Sequence, residues 1–297
     1  SERTMPRARR ASSHRRVGAG IPLMSRVTLL HGFLGSPSDW AEVLALLPMG
    51  ITCDCVPLQE LGCRSIAESA VALANRLESR PCDLLVGYSM GGRIALELAA
   101  TQPQLAPRLL LLSASPGLSA SPGLSASPGL PLAQAADASA NHHASSPEET
   151  ARAKRMAEDD ARAAEILRDG LDAFVERWYQ LPLFASFAAH PSFSSTRLRR
   201  AQGEAAFWAQ AIAGCSPGRT APRWNSLSDI ASRTLFAAGA FDERYAAVAR
   251  EAKARAPALR IEIAAQAGHV LPIEAPAFCA KLIGEFLTHQ PDGLSKS

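Results

Sequence analysis

The stretch Leu-Leu-Val-Gly-Tyr-Ser-Met-Gly-Gly-Arg at residues 84–93 decides the fold. Its first three residues form an apolar run typical of a buried strand, and residues 94–98 continue with the apolar spacing of a helix. Between them, Gly87 and Gly91 flank Ser89 in the pattern Gly-x-Ser-x-Gly. Glycines at these positions permit a tight, strained turn that lifts the serine hydroxyl above a sheet edge. The stretch therefore predicts a strand, a nucleophile elbow and a helix in succession.

Strands and helices alternate on both sides of this stretch. Apolar runs and helical spacing predict strands at 27–30, 51–56, 84–86, 109–112, 234–237 and 259–263, and helices at 38–47, 66–78, 243–255 and 276–288, with a further helix after Gly87 that runs through Leu98. This alternation is typical of an α/β fold, a mostly parallel sheet with helices on both faces. The helix at 38–47 is predicted to turn these residues to the core: Trp40, Val43, Leu44 and Leu47.

The alternation is interrupted by a repeat and then by a helical region. Residues 113–130 are three tandem copies of Ser-Ala-Ser-Pro-Gly-Leu, whose Pro and Gly oppose helix and central strand, so a surface loop is expected. Residues 131–225 predict a helical cap rich in aromatic side chains. The remaining predicted segments are a disordered basic extension at 1–23, a core at 24–112 and 226–290, and a tail at 291–297.

Composition excludes several classes of protein for this chain of 297 residues. Apolar residues make up 47% and charged residues 20%, as in ordinary globular proteins. The net charge of +3 arises from residues 1–23, which hold six Arg and one Glu, so the rest is slightly acidic and predicts no nucleic-acid partner. An organelle transit segment is the alternative interpretation of residues 1–23.

The cysteine pattern favours reduced thiols in the cytoplasm. The sequence has no Cys-x-x-Cys pair and no histidine at zinc-ligand spacing beside a cysteine, so no metal site is predicted. Its six cysteines are Cys53, Cys55, Cys63, Cys82, Cys215 and Cys279. Uninterrupted apolar runs stay well below the ~20 residues of a membrane helix, so no membrane partner is predicted. The pattern does not specify an oligomeric state.

An exposed serine needs a base to take its proton, and His269 is the predicted one. It follows the strand at 259–263 through a short turn, so it is expected at the carboxyl edge of the sheet with Ser89. His31 shares that edge within a tight His-Gly-Phe turn, and a structural role is expected for it, with substrate contact as the alternative. For Ser89 itself the alternative is a turn serine that caps a helix.

Asp242 is the predicted acid that orients the imidazole, because it follows the strand ending at residue 239 and completes the order Ser, Asp, His. Glu243 is the alternative, since a shift of one residue in the loop would present it instead. The backbone N–H groups of Phe33 and Met90 are the predicted oxyanion hole. Such chemistry requires neither a metal nor an organic cofactor.

Several further motifs together resemble the synthase family of menaquinone biosynthesis that makes 2-succinyl-6-hydroxy-2,4-cyclohexadiene-1-carboxylate, within the α/β-hydrolase superfamily. They are Leu-His-Gly-Phe-Leu-Gly at 30–35 with Trp40, the elbow with Arg93, the Ser-Ala-Ser-Pro-Gly-Leu unit, Trp-Tyr-Gln-Leu-Pro-Leu-Phe at 178–184, and Gly268-His269 with Glu274 and Pro276. The resemblance runs from about 26 to 288. It implies an α/β-hydrolase fold and a lyase in which Ser89, His269 and Asp242 promote proton abstraction and pyruvate elimination.

A small polyanionic substrate of this kind needs cations, which arginine supplies best. Arg93 lies one helical turn after Ser89 and can border the pocket. The resemblance adds Arg152, Arg155 and Arg200 as further substrate-binding candidates. For each arginine, a solvated helix face is the alternative. Trp178 and Phe184 are expected to wall the pocket or to form the core of the cap, and Tyr88 to donate a hydrogen bond to substrate or to pack.

Two other functions fit the same residues. A carboxylic ester hydrolase or a carbon–carbon bond hydrolase would use the same triad with water as second substrate, and Val270 and Leu271 suit an apolar acyl pocket. A non-catalytic binding protein of the α/β-hydrolase fold is the alternative from another class. Pyruvate release, ester turnover and the effect of Ser89→Ala discriminate the three.

Overall fold

The computed structural model describes residues 24–118 and 146–288. Within these ranges the chain forms one six-stranded sheet in the order β2-β1-β3-β4-β5-β6, with every neighbouring pair parallel. Its strands are β1 (Ser25–Leu30), β2 (Ile51–Val56), β3 (Leu84–Tyr88), β4 (Leu109–Leu112), β5 (Thr234–Gly239) and β6 (Arg260–Ala264). The predicted parallel α/β sheet is confirmed.

The helices of the described residues are twelve α-helices and six short 3-10 turns. The α-helices are α1 (Ala41–Leu46), α2 (Ile66–Ser79), α3 (Met90–Thr101), α4 (Pro147–Asp169), α5 (Leu171–Trp178), α6 (Ala185–Ala188), α7 (Phe193–Ala201), α8 (Ala205–Gly214), α9 (Leu227–Ile230), α10 (Glu243–Arg255), α11 (Leu271–Glu274) and α12 (Pro276–Thr288). The 3-10 turns are Pro37–Trp40, Leu58–Leu61, Pro103–Leu105, Pro182–Phe184, Trp224–Ser226 and Ala231–Arg233.

The central strands β3, β4 and β5 are buried along their whole length. Because successive side chains of a strand point to opposite faces, both faces of the sheet must be covered. Helix α1 packs against α12, and α2 packs against α3. No helix within residues 24–118 and 146–288 has the length and apolarity needed to cross a membrane.

The predicted helix at 38–47 is wrong in one detail of geometry. Its first turn is a 3-10 helix, Pro37–Trp40, and the α-helix begins only at Ala41. Trp40 and Val43 are fully buried, but Leu44 is 37% exposed. Val43 is the only buried residue of α1, so the buried face of this helix is narrower than the apolar spacing predicts and excludes Leu44.

The helices α4–α8, here called the inserted helices, lie between β4 and β5 in the chain and pack over the carboxyl edge of the sheet. Trp178 at the end of α5 contacts Phe33, with ring centroids 5.3 Å apart, and Phe184 contacts His269 at 5.9 Å. The predicted boundary between repeat and cap, at 130, lies outside the described residues. So do residues 1–23 and 291–297, for which an extension and a tail are predicted.

The first copy of the repeat, residues 113–118, is a loop but is largely buried, so the predicted surface location is wrong for this copy. Its carbonyl groups are satisfied by the chain that returns toward β5. The carbonyl of Pro116 accepts a bond from the Arg223 N–H at 2.6 Å, and that of Leu118 accepts one from Trp224 Nε1 at 3.2 Å. A loop whose backbone groups are paired in this way can be buried at little cost. The other two copies lie outside the described residues.

The loop after β1 is held by His31, which is fully buried. Its Nδ1 donates to the Gly32 carbonyl at 2.9 Å, and its Nε2 accepts from the Leu58 N–H at 3.1 Å. This pairing requires the neutral imidazole. Burial accordingly lowers the pKa of His31 from 6.5 to about 4. His31 thus has a structural role, joining the loop after β1 to the segment after β2.

The free energy of unfolding is expected to fall as the pH decreases from 6.5 to about 4, the pKa values of His31 in the unfolded and native protein. Below pH 6.5 the unfolded chain binds a proton that the native protein excludes until its own pKa near 4, so the free energy of unfolding decreases by about 3 kcal/mol over that range. Urea unfolding at pH 6.5 and pH 4 measures the loss. The His31→Asn variant, although less stable, should lose about 3 kcal/mol less between the two pH values. Equal losses in the two proteins would contradict the assignment.

Candidate active site

Ser89 lies directly after β3, in a strained turn that leads into α3. Its φ of 51° is in the left-handed region that side-chain-bearing residues rarely adopt. The turn is tight enough to exclude side chains at its glycines: a Cβ on Gly87 would lie 2.5 Å from the Gly92 Cα, and one on Gly91 would lie 2.4 Å from the His31 carbonyl oxygen. The strain is held by this packing, and such strain is found at functional sites.

A chain of hydrogen bonds joins Ser89 to His269 and Asp242. Ser89 Oγ lies 3.1 Å from His269 Nε2, and His269 Nδ1 lies 2.7 Å from Asp242 Oδ2. Because an ionised carboxylate can only accept, Nδ1 carries the proton and Nε2 presents a lone pair to the serine hydroxyl. The second oxygen of Asp242 accepts from the Tyr245 N–H at 3.1 Å. This geometry can remove a proton from Ser89.

The three residues come from the carboxyl ends of three parallel strands. Ser89 follows β3, Asp242 follows β5 as the N-cap of α10, and His269 follows β6. Asp242 and His269 are both 3% exposed, whereas Glu243, the alternative acid, is exposed to solvent. The structure therefore brings Asp242, and not Glu243, to the imidazole.

Glu274 fixes the backbone on both sides of His269, a contact that the sequence analysis did not predict. Its carboxylate accepts from the N–H of Gly268 at 3.0 Å and from the N–H of Val270 at 2.6 Å. The hydroxyl of Ser186, in α6, donates to the same carboxylate at 2.6 Å. One side chain thus joins the loop of His269 to the inserted helices. The motif Gly-His followed by Glu five residues later is the signal that could have indicated it.

The residues predicted as an oxyanion hole border the same cavity as Ser89. Met90 is the first residue of α3, so its N–H has no carbonyl to pair with inside the helix and is available to a ligand. Phe33 lies in the loop held by His31. In the predicted fold, the backbone N–H groups at these two positions form the oxyanion hole.

The cavity above Ser89 is lined by both layers of the molecule. The sheet side contributes Phe33, Tyr88, Ser89, Met90, Arg93 and His269, and the inserted helices contribute Arg155, Asp159, Trp178, Leu183, Phe184, Arg200 and Ile212. The remaining lining residues are Cys215, Pro217, Arg244 and Tyr245. Four arginines and one aspartate therefore face the cavity among the described residues, an excess of positive charge.

Arg93 carries a charge that the described part of the chain does not neutralise. Its guanidinium is buried, and Nη1 has no hydrogen-bond partner within residues 24–118 and 146–288. Burial lowers the pKa of Arg93, because removing the cation from water is unfavourable. A buried guanidinium nitrogen that faces a cavity is suited to an anionic group of a ligand.

Arg155 shares its counter-ion with a second arginine. Its Nε donates to Asp159 Oδ2 at 2.7 Å, and Arg162 Nη1 donates to Asp159 Oδ1 at the same distance. The three side chains lie on one stripe of α4 with spacings of three and four residues. Two cations around one carboxylate leave a net positive charge beside the cavity.

Arg200 lies in the cavity wall but is already paired. Its Nη2 donates to Asp39 Oδ2 at 2.6 Å, and Nη1 contacts the Tyr179 hydroxyl. Arg199 Nη2 donates to the other oxygen of Asp39 at 2.6 Å. Burial alone would raise the pKa of Asp39, but the two arginines hold it below its usual value. The pair joins the loop after β1 to α7, so Arg200 positions the inserted helices as well as bordering the site.

Two expectations about the pocket are corrected by the structure. Arg152 is outside the cavity lining of the described residues, because it lies one turn before Arg155 and its Nε donates to the Gly218 carbonyl at 3.1 Å. Val270 and Leu271 are fully buried in the core and do not reach the cavity. The apolar acyl pocket expected from these two residues is therefore wrong.

Aromatic rings close the cavity around the imidazole. The Tyr245 ring lies 4.7 Å from that of His269, and the Tyr88 ring lies 5.6 Å from it. Burial raises the pKa of Tyr88 well above its ordinary value, so its hydroxyl stays protonated and can donate. Trp178 and Phe184 line the opposite wall and also pack against each other, so they serve both cavity and cap.

Within the described ranges, no group of three His, Cys, Asp or Glu side chains is arranged to hold a metal ion.

Comparison with known proteins identifies relatives of the whole chain. Residues 29–282 match the model of the alpha/beta hydrolase family. A protein of Bacillus subtilis, provisionally named a 2-succinyl-6-hydroxy-2,4-cyclohexadiene-1-carboxylate synthase, is 30% identical over 88% of this chain and 90% of its own. The synthase of the same name from Serratia proteamaculans is 26% identical over 85% of this chain and 89% of its own.

A solved structure shares the fold. The structure of MenH from S. aureus superimposes with a TM-score of 0.72 and covers 91% of this chain and 95% of its own, with 24% sequence identity. The inserted helices and the sheet are therefore arranged as in a known α/β hydrolase.

Removing the carboxylate of Glu274 is expected to loosen the loop of His269. Glu274→Ala leaves two backbone N–H groups and a hydroxyl without their partner, so the free energy of unfolding should fall by about 3 kcal/mol, and Glu274→Gln should lose less because its oxygen still accepts. Urea unfolding measures both. Glu285→Ala is the control, since its pair with Lys281 spans 3.8 Å at the surface and should contribute less than about 1 kcal/mol. Equal losses at 274 and 285 would contradict the role of Glu274.

Proposed function

The chain belongs to the α/β-hydrolase family and, within it, to the 2-succinyl-6-hydroxy-2,4-cyclohexadiene-1-carboxylate synthases, and on this basis we propose that it catalyses that step of menaquinone biosynthesis. The enzyme is a carbon–oxygen lyase that eliminates pyruvate. One observation carries the proposal for this chain: Arg93 lines the cavity of Ser89, and its buried Nη1 has no hydrogen-bond partner among the described residues. A simple ester has no anion to place there, whereas the polyanionic precursor of this product has.

Binding places the carboxylates of the substrate against the arginines of the cavity. Arg93 binds one carboxylate at the base of the site, and Arg155 and Arg200 border the side formed by the inserted helices. The shared Asp159 and Asp39 keep these two guanidinium groups oriented. Trp178 and Phe184 cover the ring of the substrate and exclude water, which strengthens each charge interaction.

Proton abstraction begins at Ser89. His269 accepts the serine proton at Nε2 while the serine oxygen takes the proton from the ring carbon that bears the succinyl group. Asp242 stabilises the imidazolium that forms. That carbon is adjacent to the succinyl carbonyl, so the electron pair of the broken C–H bond moves onto the carbonyl oxygen. The N–H groups of Phe33 and Met90 donate to this oxyanion, each contributing about 3 kcal/mol to the barrier reduction.

Elimination completes the reaction. The electron pair returns from the oxyanion to form a ring double bond at the carbon that bears the succinyl group, the ring double bond already present shifts toward the carbon that bears the enolpyruvyl group, and the C–O bond there breaks. The departing enolate takes a proton supplied by the His269 imidazolium and is released as pyruvate. The serine hydroxyl and neutral imidazole are thereby restored. Each step uses groups of the chain, and Tyr88 is placed to donate a hydrogen bond to the leaving oxygen.

We place the enzyme in the cytoplasm, with a small polyanionic substrate as its partner. Support comes from the cysteines, because all six are free in the structure, as is usual in a reducing compartment. The slightly acidic body outside residues 1–23 gives no reason to expect a nucleic-acid partner.

Replacing Ser89 with alanine is expected to abolish catalysis while leaving binding largely intact. The kcat for pyruvate release from the enolpyruvyl precursor should fall by at least about 1,000-fold, with KM little changed, because the hydroxyl acts in the transition state. Pyruvate is measured by NADH oxidation with lactate dehydrogenase, beside turnover of p-nitrophenyl acetate. Ser194→Ala, at an exposed position of α7, is the control. Ester turnover without pyruvate would indicate a hydrolase, and equal rates in Ser89→Ala and wild type would indicate a binding protein.

Replacing Arg93 with methionine is expected to weaken substrate binding without destabilising the protein. Loss of a charge-assisted bond to a carboxylate should raise KM for the precursor by about 10- to 100-fold. The free energy of unfolding should be unchanged or higher, because a buried, unpaired charge is removed. Arg168→Met, at an exposed position of α4, is the control for both measurements. Lower stability with unchanged KM would contradict a role for Arg93 in binding.

A further inference from the structure

Two buried cysteines meet where the inserted helices rest on the core. Cys63 follows the turn Leu58–Leu61, and Cys215 follows the last residue of α8. The Cys215 thiol donates to the Cys63 carbonyl oxygen at 3.5 Å, which places the side chain of one cysteine against the backbone of the other. Both side chains have no exposure to bulk solvent.

The backbones of the two segments are also in contact. A Cβ on Gly214 would lie 2.1 Å from the Arg64 carbonyl oxygen, so α8 ends directly against the segment of Cys63. The side chain of Gln210 donates to the Gly62 carbonyl at 2.7 Å. A disulfide needs Cα atoms about 4.4–6.8 Å apart, a separation that two segments in backbone contact can provide.

The pair borders the active-site cavity. Cys215 is part of the cavity lining, together with Ser89 and Arg93, although its side chain is fully buried. Cys63 lies behind it, with its thiol donating to the Leu58 carbonyl at 3.4 Å. Cys215 is therefore the member of the pair nearer to the cavity.

The pKa values of the two thiols are shifted in opposite directions. The neighbouring Cys63 thiol and the charge of Arg93 lower the pKa of Cys215 against the effect of burial. The neighbouring Cys215 thiol and burial raise the pKa of Cys63. A thiolate is the form of cysteine that attacks peroxides, whereas a neighbouring thiol resolves the product.

The other cysteines lack these features. Cys53 and Cys55 lie on the edge strand β2, and burial raises their pKa values to about 12 and about 11. Cys82 and Cys279 are buried away from the cavity lining, and burial raises the pKa of both thiols. These four provide internal references for selectivity.

We propose that Cys63 and Cys215 form an oxidisable dithiol site that hydrogen peroxide, entering through the active-site cavity, converts to a disulfide between α8 and the core. The Cys215 thiolate attacks one peroxide oxygen, the O–O bond breaks, and the products are a sulfenic acid and hydroxide, which takes up the proton lost by the thiol. The Cys63 sulfur then displaces the sulfenic hydroxyl, forming the S–S bond and releasing water. Overall, two thiols are oxidised by two electrons and one peroxide is reduced to two waters. The site does not depend on the proposed function.

The test is oxidation of the full-length protein with hydrogen peroxide, followed by alkylation under denaturing conditions and peptide mapping without reduction. The expected product is a cross-link between the peptides of Cys63 and Cys215 that dithiothreitol reverses, with the other four cysteines alkylated. Because the disulfide closes a loop of 152 residues, the melting temperature of the oxidised protein should rise by about 4 °C or more.

Variants separate this linkage from general oxidation. Cys53→Ser/Cys55→Ser should retain the cross-link and the thermal shift, whereas Cys63→Ser should lose both and carry sulfenic or sulfinic acid at Cys215. The wild-type peptide map stands by itself if Cys63→Ser does not fold. A cross-link through Cys53 or Cys55, over-oxidation of wild-type Cys215 without a cross-link, or six unmodified thiols would each overturn the proposal.

Discussion

The hydrogen-bond chain from Asp242 through His269 to Ser89 is the constraint to which the rest of the structure is fitted. Its members are 27 and 180 residues apart in sequence, yet the bonds are 2.7 and 3.1 Å long. A parallel sheet meets this requirement, because it brings the carboxyl ends of β3, β5 and β6 to one edge. The left-handed φ of Ser89 and the carboxylate of Glu274 then fix the two reacting side chains within hydrogen-bonding distance.

Charged side chains make up much of the rest of the site. The inserted helices are attached to the core by the ion pairs of Asp39 with Arg199 and Arg200, which also hold the Arg200 guanidinium beside the cavity. Arg93 differs because no carboxylate among the described residues forms an ion pair with it, and its Nη1 has no hydrogen-bond partner there. A buried, unpaired cation is unfavourable for folding, so its presence indicates a ligand that supplies the missing anion. The unpaired charge of Arg93 therefore favours a polyanionic substrate over a neutral ester.

Much of the sheet could be predicted from the sequence, because periodicity is a local property. The limits of β2, β4, α10 and α12 agree with the apolar runs and helical spacing that predicted them. The prediction was wrong for Leu44, because the buried face of α1 is narrower than the apolar spacing indicates. It was also wrong for the surface location of residues 113–118, whose burial depends on a segment about 100 residues later. Motif spacing indicated the residues of the hydrogen-bond chain and could have indicated Glu274, but the contacts of Asp39 and Cys215 are made in three dimensions and leave little trace in local sequence.

A crystal structure of the protein with its reaction product tests this account most directly. We expect a product carboxylate within about 3 Å of Arg93 Nη1, and the succinyl carbonyl oxygen within about 3 Å of the N–H groups of Phe33 and Met90, above Ser89. A product that binds with its carboxylates away from Arg93, or with the succinyl carbonyl directed away from both N–H groups, would contradict it.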